Sequence, residues 1–130
     1  MSIFTASELA YLAKQKLGRL ATQAPDGTLQ NNPVGYFVNA AGGYLDIGGH
    51  GMGASRKFRN VQLAAQVSLV VDDLSTEHGW QVRGIEFRGR AEALTDVDPP
   101  MPGFSREIIR IHPTRILTWG LPNSTTRNLP

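Results

Sequence analysis

Short apolar runs separated by turn residues occupy most of this 130-residue chain. Glycine and proline supply 14 and 8 of its residues, and many of them lie between these runs. Such spacing is typical of antiparallel strands, and it leaves no room for the helices that connect neighbouring parallel strands. The sequence therefore predicts a mainly β protein, a small barrel or sandwich, that forms one domain over residues 1–130.

Six strands and two or three short helices are expected. The expected strands are 19–24, 28–38, 44–48, 66–72, 80–94 and 115–119. A first helix is predicted over 5–17, because Thr5 and Glu8 have the spacing of a capping box. Gly18 then stands where a left-handed C-terminal cap belongs. A second helix begins near Ser55, and a third is expected at about 104–110.

Two local signals predict how the strands are arranged. Pro25-Asp26-Gly27 has the chemistry of a tight turn and predicts a hairpin between the first two strands. Pro33 lies inside the second strand and cannot donate a backbone hydrogen bond, so an edge strand or a bulge is expected there. Ile85, Phe87, Gly89 and Ala91 alternate along the fifth strand and predict its buried face.

Several classes of protein are excluded or disfavoured by composition. The chain has no cysteine, which excludes disulfide frameworks and thiolate metal sites. A net charge of +2 is too small to require a nucleic-acid partner. No apolar run is long enough for a membrane helix, and the polar start predicts a cytoplasmic protein. His50, His78 and His112 are far apart in sequence, so no metal site is expected. Residues 121–130 are expected to form a flexible tail.

A glycine-rich segment followed by three cations is the strongest chemical signal. Four glycines between positions 48 and 53 precede a helix start that carries Arg56, Lys57 and Arg59. Backbone N–H groups, a positive helix end and basic side chains together bind phosphate. Helical geometry places Phe58 on one face, with Arg56, Arg59 and Asn60 opposite. An ordinary solvated amphipathic helix remains the alternative.

The order of short motifs resembles the split-barrel proteins related to pyridoxamine-phosphate oxidase. The resemblance is greatest to the branch that uses the deazaflavin coenzyme F420 in place of FMN. The matching motifs are Leu17-Gly18-Arg19-Leu20-Ala21-Thr22, Pro25-Asp26-Gly27, Asn32-Pro33-Val34, Ser55-Arg56-Lys57-Phe58-Arg59-Asn60, Val67-Ser68-Leu69-Val70, His112-Pro113-Thr114-Arg115-Ile116 and Thr118-Trp119-Gly120. The resemblance covers residues 5–121.

This resemblance implies a six-stranded antiparallel split β-barrel and a homodimer, with a cofactor groove at the subunit interface. It places the cofactor phosphate at Ser55, Arg56 and Lys57, with Arg59 and Asn60 close by. It places the ring beside Asn32, Pro33 and Val34, and Gly48 and Gly49 would allow close approach of the ring. His50 could hydrogen-bond the cofactor, and Trp80 could contact the ring or the partner subunit.

The resemblance also implies an enzyme that transfers a hydride between coenzyme F420 and a small unsaturated or quinone-like molecule. An oxidase or reductase that binds FMN is one alternative, and a non-catalytic cofactor-binding protein is another. No side chain is assigned a catalytic role, because the cofactor supplies the reactive atom. Residues 74–79 and 96–103 are expected to form pocket walls. The chain after Trp119 lacks the family's substrate-binding Arg and His, which disfavours vitamin B6 oxidation.

Overall fold

A computed structural model describes residues 2–130, which form one antiparallel eight-stranded sheet and two helices. The helices are α1 (Ala6–Lys14) and α2 (Arg56–Leu63), and a 3-10 turn (Met52–Ala54) precedes α2. The strands are β1 (Gly18–Gln23), β2 (Leu29–Val34), β3 (Phe37–Asn39), β4 (Tyr44–Ile47), β5 (Gln66–Ser75), β6 (Gln81–Leu94), β7 (Ile108–Trp119) and β8 (Thr126–Asn128). Within residues 2–130, no helix has the length and apolar character needed to cross a membrane.

The strand order shows that the sheet closes on itself. The order is β2-β1-β5-β6-β7-β4-β3, and β8 lies beside β7. The two end strands, β2 and β3, are separated in sequence only by Gly35 and Tyr36. Because so short a connection spans at most about 10 Å, the two edges must approach each other. The curled sheet confirms the predicted split barrel.

Eight strands appear instead of six, for two reasons. The predicted strand 28–38 divides at Gly35 into β2 and β3, and the tail adds β8. Pro33 keeps a regular position opposite Arg19 in β2, so the edge-strand interpretation is confirmed and no bulge occurs there. The helix predicted at 104–110 is wrong, because β7 begins at Ile108 and pairs with β6 along its length.

Helix α1 is shorter than predicted, although its start is confirmed. The Thr5 hydroxyl accepts a hydrogen bond from the Glu8 N–H (3.2 Å), and the Thr5 N–H donates to Glu8 Oε1 (2.9 Å). The helix ends because Gln15 is extended. Gly18 is not the cap. It begins β1, where an added Cβ would lie 2.9 Å from a methyl carbon of Leu69.

The core fills the inside of the curled sheet. The alternation predicted for β6 is confirmed, since Ile85, Phe87 and Ala91 are all buried. Fully buried partners from the other strands include Leu20, Leu45, Ile47, Leu69, Val71, Ile109, Ile111 and Ile116. Helix α2 contributes Phe58 and Val61 to this core and so lies firmly against the barrel.

The expected loose tail is attached to α1. Strand β8 pairs with β7, and Arg127 donates to both oxygens of Glu8 at 2.6 and 2.7 Å. Glu8 is only 2% exposed, and Arg127 also donates to the Ile3 carbonyl at 2.8 Å. A buried, bidentate ion pair therefore connects the two ends of the described chain.

Candidate cofactor-binding site

Ser55 begins α2 as its N-cap. Its hydroxyl accepts a hydrogen bond from the Phe58 N–H (3.2 Å) and donates to the Met52 carbonyl (2.6 Å). Such a cap satisfies one of the free N–H groups at a helix start. The side chain of Ser55 therefore stabilises the start of α2 and connects it to the preceding 3-10 turn.

Three cations follow Ser55 without partners in the protein. Arg56 and Arg59 are exposed and Lys57 is half-buried, and none of them forms an ion pair within residues 2–130. Arg56 borders a pocket of about 250 Å³ with Gln30, Asp26 and Thr28. The positive end of the α2 dipole adds to their charge. This cationic turn, residues 55–59, can attract an anionic group.

Asp26 is an acidic residue that lies beside the cationic turn. The backbone N–H of Thr28 donates to its carboxylate at 2.9 Å and lowers the pKa of Asp26, and the charge of Arg56 lowers this pKa further. Asp26 is thus ionised at neutral pH and attracts Arg56, although the two groups form no ion pair. An anion bound at Arg56 would have to approach from the side away from Asp26.

Asn60 corrects the predicted helix face. It is buried, and its side-chain amide donates to Thr22 Oγ1 (3.0 Å) and Gln30 Oε1 (3.1 Å). Asn60 therefore lies on the packed side of α2, not beside Arg56 and Arg59 on the exposed side. Its role here is to fix α2 against β1 and β2.

Two backbone amides of the glycine-rich segment, those of Met52 and Gly53, donate to side chains of the loop before β7. The Met52 N–H donates to Ser105 Oγ (3.0 Å), and the Gly53 N–H donates to Glu107 Oε1 (3.1 Å). The Gly49 carbonyl accepts from the Ser105 N–H at 2.8 Å. These amides are not free for a phosphate, so the side chains of the cationic turn are the better candidates to hold it.

Gly48 and His50 also contact the loop before β7. An added Cβ at Gly48 would lie 2.9 Å from the Phe104 ring. Nδ1 of His50 lies 3.0 Å from the Gly103 carbonyl, and its ring meets Phe104 edge-on at 5.0 Å between centroids. Gly48 thus allows close packing of Pro100 and Phe104, and His50 contacts the same loop.

Asn32 and Pro33 border a second groove along β2. With Leu17, Gly18, Arg19 and Asn31 they line a groove of about 490 Å³. Val34 does not take part, because it is buried in the core at 6% exposure. Gln30, which borders the pocket at Arg56, lies two residues from Asn32 on the same face of β2, a distance of about 7 Å. One ligand could therefore reach both places.

Sequence reasoning missed Arg19 and Gln30. Arg19 lies directly opposite Pro33 and forms an ion pair with Asp72 at 2.8 Å. The side-chain oxygen of Gln30 accepts a hydrogen bond from the Asn60 amide. Counting outward from the Pro25-Asp26-Gly27 turn gives the register of the hairpin and could have found both. Trp80, by contrast, is 85% exposed and precedes the start of β6, whereas β6 meets the end of α2 only at Ala91, whose N–H donates to the Ala65 carbonyl.

The sequence pattern of the pyridoxamine 5'-phosphate oxidase family matches residues 4–120. The chain belongs to this family. Its members share a barrel that binds flavin-type cofactors, which agrees with the groove beside a cationic turn. The candidate site thus lies in a fold that this family uses to bind redox cofactors.

A curated relative shows that the chain is an oxidoreductase. The 5a,11a-dehydrotetracycline/5a,11a-dehydrooxytetracycline reductase of Streptomyces rimosus is 43% identical over 119 residues, which are 91% of this chain and 84% of the relative. Because this identity covers nearly the whole chain, this protein is also an oxidoreductase.

Solved structures agree on the fold. An F420 reductase superposes with a TM-score of 0.65 and 25% identity, over 88% of this chain and 98% of the other. A FAD-binding protein of Mesorhizobium loti gives a TM-score of 0.66 at 19% identity, over 92% and 96% of the two chains. The second similarity shows the fold alone.

Proposed function

We propose that this oxidoreductase binds coenzyme F420 and reduces a polycyclic, unsaturated small molecule. The observation that carries the proposal is the cationic turn, where Arg56, Lys57 and Arg59 have no partner within residues 2–130. Unpaired cations beside a groove suit a phosphodiester, such as the one in F420. The similarity to the F420 reductase and to the dehydrotetracycline reductase supports this cofactor and this substrate class.

The residues present fit such a cofactor along β2. Arg56 and Lys57 would hold the phosphate near Gln30. Asn32 and Pro33 would border the ring, about 7–10 Å from Gln30 along β2. When bound, the reduced coenzyme would supply a hydride from its ring carbon, and the double bond of the substrate would take this hydride together with a proton. The protein's task is to orient both molecules and to exclude water.

A homodimer is part of the proposal. Strands β5, β6 and β7 leave partly exposed apolar side chains, among them Leu117 and Trp119, on the outer side of the barrel. Apolar surface of this kind is typical of an interface between subunits. A second copy covering this side would enclose the groove at Pro33, and the enclosed groove would hold the cofactor ring away from solvent.

Titration of the purified protein with oxidised F420 and with FMN tests the cofactor. We expect F420 to bind with a Kd below about 100 μM, and more tightly than FMN. Reduced F420 would then be consumed in the presence of a dehydrotetracycline or a related enone. Tight binding of FMN alone would favour the flavin alternative. Binding of F420 without turnover of any enone or quinone would indicate a cofactor-binding protein.

A further inference from the structure

The glycine-rich segment before α2 needs support from elsewhere in the chain. Residues 48–53 include four glycines, and none of the four has the left-handed backbone that favours glycine. Around Gly51 there is open space for a side chain. Glycine loses more conformational freedom on folding than any other residue. A segment this rich in glycine is therefore costly to hold in one conformation, and the cationic turn follows it directly.

Ser105 contacts both ends of the turn 49–52. Its backbone N–H and its hydroxyl both donate to the Gly49 carbonyl, at 2.8 and 3.1 Å. The same hydroxyl oxygen accepts a hydrogen bond from the Met52 N–H at 3.0 Å. One side chain, more than 50 residues away in sequence, thus closes this turn with a hydrogen bond to each end.

Glu107 holds the next residue of the same segment. Its Oε1 accepts a hydrogen bond from the Gly53 N–H at 3.1 Å. An added Cβ at Gly53 would lie 2.6 Å from this oxygen, so the contact requires glycine at position 53. Strand β7 begins directly after Glu107, and its first residues, Ile108 and Ile109, are buried. Both contacts therefore start from a firmly packed part of the barrel.

Hydrogen bonds connect Ser105 to the start of α2 through a single peptide unit on each step. Met52 is 2% exposed, and its carbonyl accepts from the Ser55 hydroxyl at 2.6 Å and from the Ser55 N–H at 3.0 Å. The Ser55 hydroxyl in turn accepts from the Phe58 N–H. The orientation of the first turn of α2 thus depends on where Ser105 holds Met52.

The rest of α2 has its own contacts with the barrel. Phe58 and Val61 belong to the core, and Asn60 is buried and hydrogen-bonded to β1 and β2. Loss of the Ser105 contact would therefore loosen the segment before α2 and leave the helix in place. A site that is ordered before its ligand arrives loses less conformational freedom on binding. The expected consequence is weaker binding at the cationic turn, with the fold retained.

We propose that Ser105 and Glu107 are positioning residues for the coenzyme phosphate. They hold residues 49–53, and through them the orientation in which Arg56 and Lys57 meet an anion. The inference rests on the proposed function, because it concerns the phosphate of that coenzyme. It assigns a role in binding to two residues of the loop before β7, neither of which belongs to the cationic turn.

A comparison of two ligands tests this role. One is F420, and the other is its truncated form, the deazaflavin riboside that lacks the phosphodiester and the glutamate tail. Ser105→Ala is expected to weaken F420 binding about 3- to 10-fold, the loss typical of a hydrogen bond, and to leave the affinity for the truncated form unchanged. A general disturbance of the fold would weaken both ligands by the same factor. That result would overturn the inference.

Ser124→Ala is the matched control for Ser105→Ala. The Ser124 hydroxyl also closes a turn, because it accepts from the Leu121 N–H at 2.8 Å and donates to the Leu121 carbonyl at 2.7 Å. This turn precedes β8 and has no connection to α2. We expect Ser124→Ala to keep the wild-type ratio of the two affinities. A change equal to that of Ser105→Ala would contradict a specific role for Ser105.

Glu107 gives a second pair of variants, which also serves if Ser105→Ala does not fold. Glu107→Ala removes the acceptor for the Gly53 N–H and should weaken F420 binding selectively. Glu107→Gln keeps an oxygen in this place and should retain the wild-type affinity for F420. Equal losses in the two variants would show that the hydrogen bond to Gly53 is not what matters.

The same titrations separate this inference from the proposed function. If the wild-type protein binds F420 no more tightly than the truncated form, the phosphate site of the proposed function fails. If the wild-type protein prefers F420 and both Ser105→Ala and Glu107→Ala keep that preference in full, the proposed function stands and only the positioning role fails.

Discussion

Two groups of basic side chains in this protein have opposite surroundings. Arg127 contacts buried Glu8 with both of its terminal nitrogens, and Arg110 forms a similar pair with Asp46 at 2.9 and 3.1 Å. Arg56 and Lys57 have no such partner within the described chain. The paired arginines stabilise the fold, whereas unpaired cations at a helix start contribute little to it and are available to a ligand. The difference separates structural charges from candidate binding charges.

The largest expected effect comes from breaking the buried pair. Arg127→Met would leave the carboxylate of Glu8 buried without a counter-charge, which typically costs about 3–5 kcal/mol. Urea unfolding at fixed protein concentration measures this loss. Arg106→Met is the matched control, because its partners Asp96 and Asp98 are 92% and 97% exposed. A loss at position 127 no larger than that at 106 would contradict the comparison.

Substitutions in the cationic turn should lower the affinity for F420 and leave the stability of the fold almost unchanged. Arg56→Ala with Lys57→Ala is expected to weaken F420 binding about 10- to 100-fold, since hydrogen bonds to charged groups contribute roughly 1.5–3 kcal/mol. The free energy of unfolding should change by no more than about 0.5 kcal/mol. Lys16→Ala, another exposed cation, serves as the control. Unchanged affinity in the double variant would remove the assignment of the phosphate site.

Asn60 belongs to the same helix as the unpaired cations, but it is buried and hydrogen-bonded. Asn60→Ala would leave Thr22 and Gln30 without their shared donor and should lower the free energy of unfolding by about 1–3 kcal/mol. Its exposed neighbour allows a direct comparison, because Arg59→Ala should have almost no effect on stability. If the two variants unfold at the same urea concentration, Asn60 is not the buried anchor that the structure shows.

The smallest effect is a pH dependence at Glu86. Hydrogen bonds from Arg88 lower the pKa of Glu86 below its usual value, despite opposing desolvation. Its stabilising contribution is therefore complete above the unfolded pKa and is lost as pH falls through the lower folded pKa. The stability difference between wild type and Glu86→Gln, expected to stay below about 1 kcal/mol, should shrink from about pH 6 to pH 3. A difference independent of pH would show that Glu86 does not stabilise as an anion.

Local chemistry made part of the fold predictable. The capping box at Thr5, the Pro25-Asp26-Gly27 turn and the alternation along β6 each depend on residues near one another in sequence. The helix expected at 104–110 failed because β7 continues the pairing with β6 back to Ile108. Pairing between distant strands outweighs local helical preference, and a single sequence does not reveal it.

The candidate site was predictable in outline only. The cations at 56, 57 and 59 stand out by type and by position at a helix start. Asn60 was assigned to the wrong face because its partners Thr22 and Gln30 are 38 and 30 residues away. The backbone amides of the glycine-rich segment were expected to bind phosphate, but those of Met52 and Gly53 donate to Ser105 and Glu107, more than 50 residues away. Long-range hydrogen bonds of this kind leave no trace in local periodicity.

Pro33 has a further consequence as a member of the edge strand β2. An open edge with a full row of backbone donors invites another chain to add a strand, which leads to aggregation. A proline at this point removes one donor from that row. We expect replacement by a residue with an N–H group, such as Pro33→Val, to make the protein more prone to self-association through β2. The same substitution would test how strongly this edge is protected against amyloid-like pairing.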